Sequence, residues 1–186
     1  MLINEDRPSI EEQYSHATQS SNLRCEAEKR GDADILIASG MSGSGLGGAL
    51  IRLHSEYNRG SVPRHNMTKT DHILMMGQLK TLWPVLDAVT AQAEHWGMER
   101  PSKAAMAVVA HWLDCTCTHC DGRGKERIDD TPALSVKNCK HCHGTGHTAL
   151  PYGSEGRRLE GYMQDCINRW RQSVAKRLFV FGRDQL

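Results

Sequence analysis

Two copies of one octet, Cys-x-x-Cys-x-Gly-x-Gly, restrict this chain more than anything else in it. They read Cys117-Thr-His-Cys120-Asp-Gly-Arg-Gly124 and Cys139-Lys-His-Cys142-His-Gly-Thr-Gly146, with eighteen residues between Cys120 and Cys139. That spacing lies in the range for a four-thiolate zinc site. Zinc takes a closed tetrahedron of sulfurs at about 2.3 Å, and two residues between thiols let one knuckle supply two corners. The glycines behind each pair permit positive φ, so the chain can turn back and aim amide N–H groups at the sulfurs. The expectation is one structural zinc ion on Cys117, Cys120, Cys139 and Cys142. A redox dithiol would need a βαβ setting, whereas each pair is followed by polar, glycine-rich sequence. Catalytic zinc would need an open position that four thiolates do not leave. His119, His141 and His143 could each replace a ligand; beside four well-spaced cysteines they read as exposed knuckle residues.

Seven cysteines is an odd number. In a reducing compartment, four ligands plus Cys25, Cys115 and Cys166 as ordinary thiols fits better than a disulfide framework. Cys115, two residues before the first ligand, could compete for metal, but reads rather as a thiol buried at a helix end. With no apolar run near eighteen residues and no signal peptide, the expected location is the cytosol, away from membranes. A net charge of +1 argues against a polybasic coat and leaves room for a local basic face. Aromatic residues make up only 5% of the 186, which suggests an extended or tail-bearing molecule.

Residues 1–37 read as an N-terminal arm, charged around Glu26, Glu28, Lys29 and Arg30. Residues 38–66 read as a Gly/Ser/Met-rich connecting segment with Pro63 as a breaker, and 67–186 as a helical domain. Within the connecting segment, Gly43-Ser-Gly45-Leu-Gly-Gly48 resembles a dinucleotide-binding turn after the aliphatic run at Ile35. No strand–helix alternation follows it, so a flexible linker is the expectation. From Thr68 the pattern turns helical, with Ile73, Met76, Leu79, Leu82 and Trp83 at three- and four-residue intervals and Val85, Leu86 and Val89 beyond Pro84. The proline implies a kink or two abutting helices. Asp71 and His72 read as a solvated face. Ser102 reads as the N-cap of a helix over 103–113 that buries Met106, Val109, Trp112 and Leu113 and leads into the first knuckle.

The insert between the octets could form a two-strand ribbon. Its cations, Arg123, Lys125, Arg127, Lys137 and Lys140, are partly offset by Asp121, Glu126, Asp129 and Asp130, and fit a phosphate-contact surface and a solvated face equally. Beyond Pro151, Ser154 can cap a helix with an apolar stripe from Leu159 through Met163, Cys166, Ile167 and Trp170 to Val174 and Leu178. Its other side carries Arg157, Arg158, Arg169, Arg171, Lys176, Arg177 and Arg183. An arginine-rich helix face is the footprint of a helix approaching DNA phosphates or a major groove. Ordinary solubilising charge gives the same pattern, and periodicity leaves both open.

Taken together, the helix, the two octets around a short insert, Pro151 just beyond, and the Trp/Arg-bearing last helix resemble the lambda-type Q family. These are bacteriophage late-gene transcription antitermination proteins. The stretch 38–49 is also similar, and the resemblance covers about residues 38–181, most closely 103–151. It implies a mainly α fold, a helical bundle with an inserted four-cysteine zinc-binding knuckle (117–146) and a helix-turn-helix-like DNA-binding region (152–181). The implied protein is no enzyme and acts in the cytoplasm of the bacterial host. It binds double-stranded DNA at a phage late promoter, engages paused RNA polymerase carrying the primary sigma factor, and with NusA carries it through terminators. Cys117, Cys120, Cys139 and Cys142 map onto the zinc ligands; Arg157, Arg158, Arg169, Arg171, Lys176 and Arg177 onto the DNA-contacting region. J-domain chaperone co-factors use a like octet in four copies, so the alternative is a zinc-dependent, chaperone-like protein-binding module.

Overall fold

The computed structural model describes residues 8–24, 31–43, 45–59, 77–127 and 134–181. Cys25, the charged residues 26–30, Pro63, Asp71, His72, Ile73, Met76, Asp129, Asp130 and Arg183 lie outside the described residues. The chain is mainly helical, as expected, with six helices and one two-stranded sheet among the described residues. It divides into two compact units, Met1–Glu56 with Met163–Leu186, and Tyr57–Tyr162.

In the first unit, α1 (Ile10–Ala17) opens with a capping box. Ser9 Oγ accepts the Glu12 N–H at 3.2 Å and the Ser9 N–H donates to Glu12 Oε2 at 2.7 Å, which satisfies two amides that a helix start leaves unpaired. Helix α2 (Asp32–Met41) places Asp32 and Asp34 in its first turn, where negative charge suits the helix dipole. The Ile35 run is therefore helix, and no strand precedes the glycine motif among the described residues. Helix α3 (Leu46–Arg59) takes up the next fourteen residues and buries Leu50, Ile51 and Leu53. The expected arm thus contains α1 and most of α2, and the expected linker contains the end of α2 and all of α3. Apolar spacing on one face outweighs the helix penalty of the glycines. Those glycines permit a close approach instead: a Cβ on Gly47 would collide with the Cys166 carbonyl. Tyr14 meets Trp170 edge-on at 5.9 Å, and Glu11 pairs with Arg171.

In the second unit, α4 (Leu82–His95) packs on α5 (Pro101–Leu113). Pro84 makes no kink. It falls in the first turn of α4, where its missing N–H has no partner to lose, so the helix boundary comes just ahead of it. Leu82, Val85, Leu86 and Val89 are buried, whereas Trp83 is exposed. Pro101 likewise opens α5 at its first position, with Arg100 rather than Ser102 as N-cap. The buried face of α5 is Ala104, Ala105, Val108, Val109 and Leu113; Met106 is exposed and Trp112 half-buried. Strands β1 (Lys125–Arg127) and β2 (Leu134–Asn138) form the expected antiparallel ribbon, pairing Lys125 with Asn138 and Arg127 with Leu134.

Helix α6 (Gly153–Phe181) runs for 29 residues without a break. The helix-turn-helix expected within 152–181 is therefore not formed there. The apolar positions from Leu159 to Leu178 are buried at unbroken helical spacing, and no proline interrupts them. Among the described residues, no helix is long and apolar enough to cross a membrane.

Candidate metal centre

The two octets fold alike, and the likeness runs residue by residue at a separation of 22. In each, the residue after the second cysteine and the next two glycines take positive φ. The values are 51°, 77° and 71° at Asp121, Gly122 and Gly124, and 51°, 92° and 77° at His143, Gly144 and Gly146. Left-handed backbone is nearly free for glycine and costs other residues about 1–2 kcal/mol. This sequence of turns brings the Gly124 N–H to Cys120 Sγ and the Gly146 N–H to Cys142 Sγ, both at 3.3 Å.

Each octet also closes the other. The Cys117 N–H donates to the Gly146 carbonyl, and the Cys139 N–H to the Gly124 carbonyl, both at 2.8 Å. The backbones pass so near that a Cβ on Gly124 would collide with the Gly144 carbonyl, and one on Gly146 with the Gly122 carbonyl. His119 and His141, the matching residues of the two octets, stack with ring centroids 3.3 Å apart and planes 4° from parallel. The shared Cys-x-His-Cys order already contained this pair as a signal, though spacing alone did not show that the rings meet.

All four cysteines are buried, and their sulfurs lie within 4.8 Å of one another. Cys120 Sγ and Cys142 Sγ stand 3.6 Å apart, unbonded as thiols. A tetrahedral ion with bonds of about 2.3 Å needs sulfurs roughly 3.8 Å apart, so the cluster can hold a metal ion of zinc's size and softness. Burial pushes the Cys120 thiol up to about 11. Burial acts the same way on Cys142, but the Gly146 and Gly144 N–H groups and the bond from Cys120 outweigh it and hold that thiol at about 6. Metals bind cysteines as thiolates, so a divalent cation held here would take the place of the thiol protons. The cluster is closed by four sulfur donors, which leaves a bound ion no open position.

The flanking chain ends are tied to the clasp. Thr116 and His147 form a bridge, the Thr148 N–H donates to the Cys115 carbonyl at 2.7 Å, and His111 Nε2 donates to the Thr148 carbonyl at 3.0 Å. Cys115 is partly exposed rather than sealed, with its sulfur 3.3 Å from His147 Nδ1. Neither belongs to the metal cluster. The sequence offered no signal for this pair.

The six basic residues of α6 have different surroundings. Arg157, Arg158, Arg169 and Lys176 are exposed, and Arg171 and Arg177 half-buried. Arg158 lies over the Trp96 ring at 4.0 Å, and Arg169 bonds Cys166 Sγ at 3.1 Å and the Asp165 carbonyl at 3.3 Å. Arg171 is engaged by Glu11 and by Asn168 Oδ1, and the Nε of Arg177 is buried. In the ribbon, Lys125 Nζ donates to Asn138 Oδ1 at 2.8 Å, and Lys140 pairs with Glu126 at 3.3 Å. No protein-family model matches the chain, nor does any curated protein or solved structure.

Proposed function

We propose that this chain is a zinc-clasped transcription antitermination factor of the lambda-type Q kind, a regulator rather than an enzyme. The observation that carries the reading is the four-thiolate cluster set between α5 and α6, in the order the resemblance implies. Zinc there supplies no reaction; held by Cys117, Cys120, Cys139 and Cys142, it fixes how the chain leaves α5 and enters α6. On α6, Arg157 and Lys176 are exposed and make no hydrogen bond, ion pair or ring contact with any described residue, which makes them the cations most available to DNA phosphates. Arg158, Arg169 and Arg171 are already engaged by the partners described above and the Nε of Arg177 is buried, so these four serve as positioning residues first. The partners in this reading are late-promoter DNA, the paused polymerase with its primary sigma factor, and NusA, in the bacterial cytoplasm.

The test is transcription in vitro from a phage late promoter past a terminator, with and without the zinc-loaded protein. Read-through should rise, and a gel shift on the promoter should weaken as salt is raised, because phosphate contacts release counterions. Unchanged termination together with suppressed aggregation of an unfolded client would overturn this reading in favour of the chaperone-like module.

A further inference from the structure

A second candidate site lies within the first unit. Between α1, α2, α3 and α6 opens a cleft of about 210 Å³. Its walls include the rings of Tyr14 and Trp170 and the side chain of Leu36; at Gly40 and Gly48 no side chain fills it. A cavity of about 150 Å³ holds benzene, and drug-sized pockets begin near 300 Å³, so this cleft suits a ligand with a single ring or its equivalent.

Two hydrogen-bond donors of the lining have no partner among the described residues. Trp170 is only 6% exposed, yet its indole N–H bonds no described residue, and its nitrogen is not among the sealed ones. Arg52, exposed on α3, makes no hydrogen bond or ion pair with any described residue. No carboxylate lines the cleft among the described residues, and the Ser39 hydroxyl is already donated to the Ile35 carbonyl at 2.6 Å. The lining therefore offers one positive charge, one unmatched indole N–H and an aromatic wall.

From this we infer that the cleft binds a small organic oxyanion of one-ring size. A phosphate monoester or carboxylate group would meet Arg52 and the Trp170 N–H, with the ligand's ring against Leu36 and the aromatic wall. Guanidinium matches either group with paired hydrogen bonds. Gly48 keeps the cleft open, since a Cβ there would stand 3.1 Å from both Cδ1 and Nε1 of Trp170.

The test is calorimetric titration of the zinc-loaded full chain with phenyl phosphate, benzoate, inorganic phosphate and phenol. Saturable binding of phenyl phosphate or benzoate, tighter than that of inorganic phosphate and of phenol, is the expected result, and the better of the two identifies the anion. Trp170→Phe should weaken it about tenfold, the loss of one charge-assisted hydrogen bond, and Arg52→Gln by more, since a charge and paired hydrogen bonds go with it. Gly48→Ala should abolish it, with zinc content and circular dichroism unchanged as the check on folding. Phenol binding as tightly as phenyl phosphate would overturn the proposal. So would binding that survives intact in folded Arg52→Gln, or no binding of any of the four.

Discussion

Glycine is concentrated in two places in this molecule, the metal knuckles and the start of α3, and it does different work in each. In the knuckles Gly122, Gly124, Gly144 and Gly146 all have positive φ, so the backbone itself requires them. In α3, Gly47 and Gly48 lie inside a helix with ordinary dihedrals, and what requires them is the neighbour: the Cys166 carbonyl against one and the Trp170 indole against the other. The first use is local and recurs with a fixed spacing; the second depends on which helix packs opposite. A glycine-rich stretch is therefore no motif until its φ angles and its neighbours are known.

The contrast can be broken most forcefully at the metal. Cys120→Ser, or treatment with a strong chelator, should cost on the order of 10 kcal/mol of folding free energy in the second unit. Metal analysis should show zinc lost, and the thermal melt should shift to lower temperature; retained zinc and an unchanged melt would refute the ligand set. Next comes Gly124→Ala, which adds left-handed strain to a collision with the Gly144 carbonyl. It should destabilise by about 3 kcal/mol in denaturant and loosen the metal in competition with a chelating dye.

Gly47→Ala sharpens the comparison from the other side. It meets the Cys166 carbonyl without backbone strain, so about 1–3 kcal/mol should be lost while zinc affinity stays unchanged. The smallest effect belongs to Asp32 at the start of α2. A hydrogen bond from Ser20, with help from His16, holds its carboxyl below the ordinary 3.8 despite burial acting the other way. The resulting stability is present above pH 3.8 and is lost as pH falls through the lowered folded value. Asp32→Asn should lower stability slightly at neutral pH, leave it unchanged below the lowered folded value, and so flatten that acid limb of the stability–pH curve.

The knuckle was legible in the sequence because its requirements are local: ligand spacing, the glycines behind it and the short ribbon all repeat within one octet or lie between the two. Helix boundaries were less so. Pro84 and Pro101 each mark a helix's first turn, and which turn a proline occupies depends on where the chain starts to pack. The 38–66 stretch misled for the same reason, since its glycines suggested a linker while the spacing of Leu50, Ile51 and Leu53 made a helix. The unbroken apolar spacing of α6 was legible and the resemblance to a helix-turn-helix misled; only packing showed that Arg171 and Arg158, alike in sequence, are engaged by a carboxylate and an indole respectively.

By itself the sequence determined that four thiols can share one ion, because coordination distance and backbone freedom are set within a few residues of each cysteine. Tertiary structure decided the rest: that His119 lies on His141, that Trp170 keeps an unmatched N–H beside Arg52, and that Gly48 leaves room in front of it. Those facts join residues distant along the chain, and no local rule of spacing or propensity reaches that far.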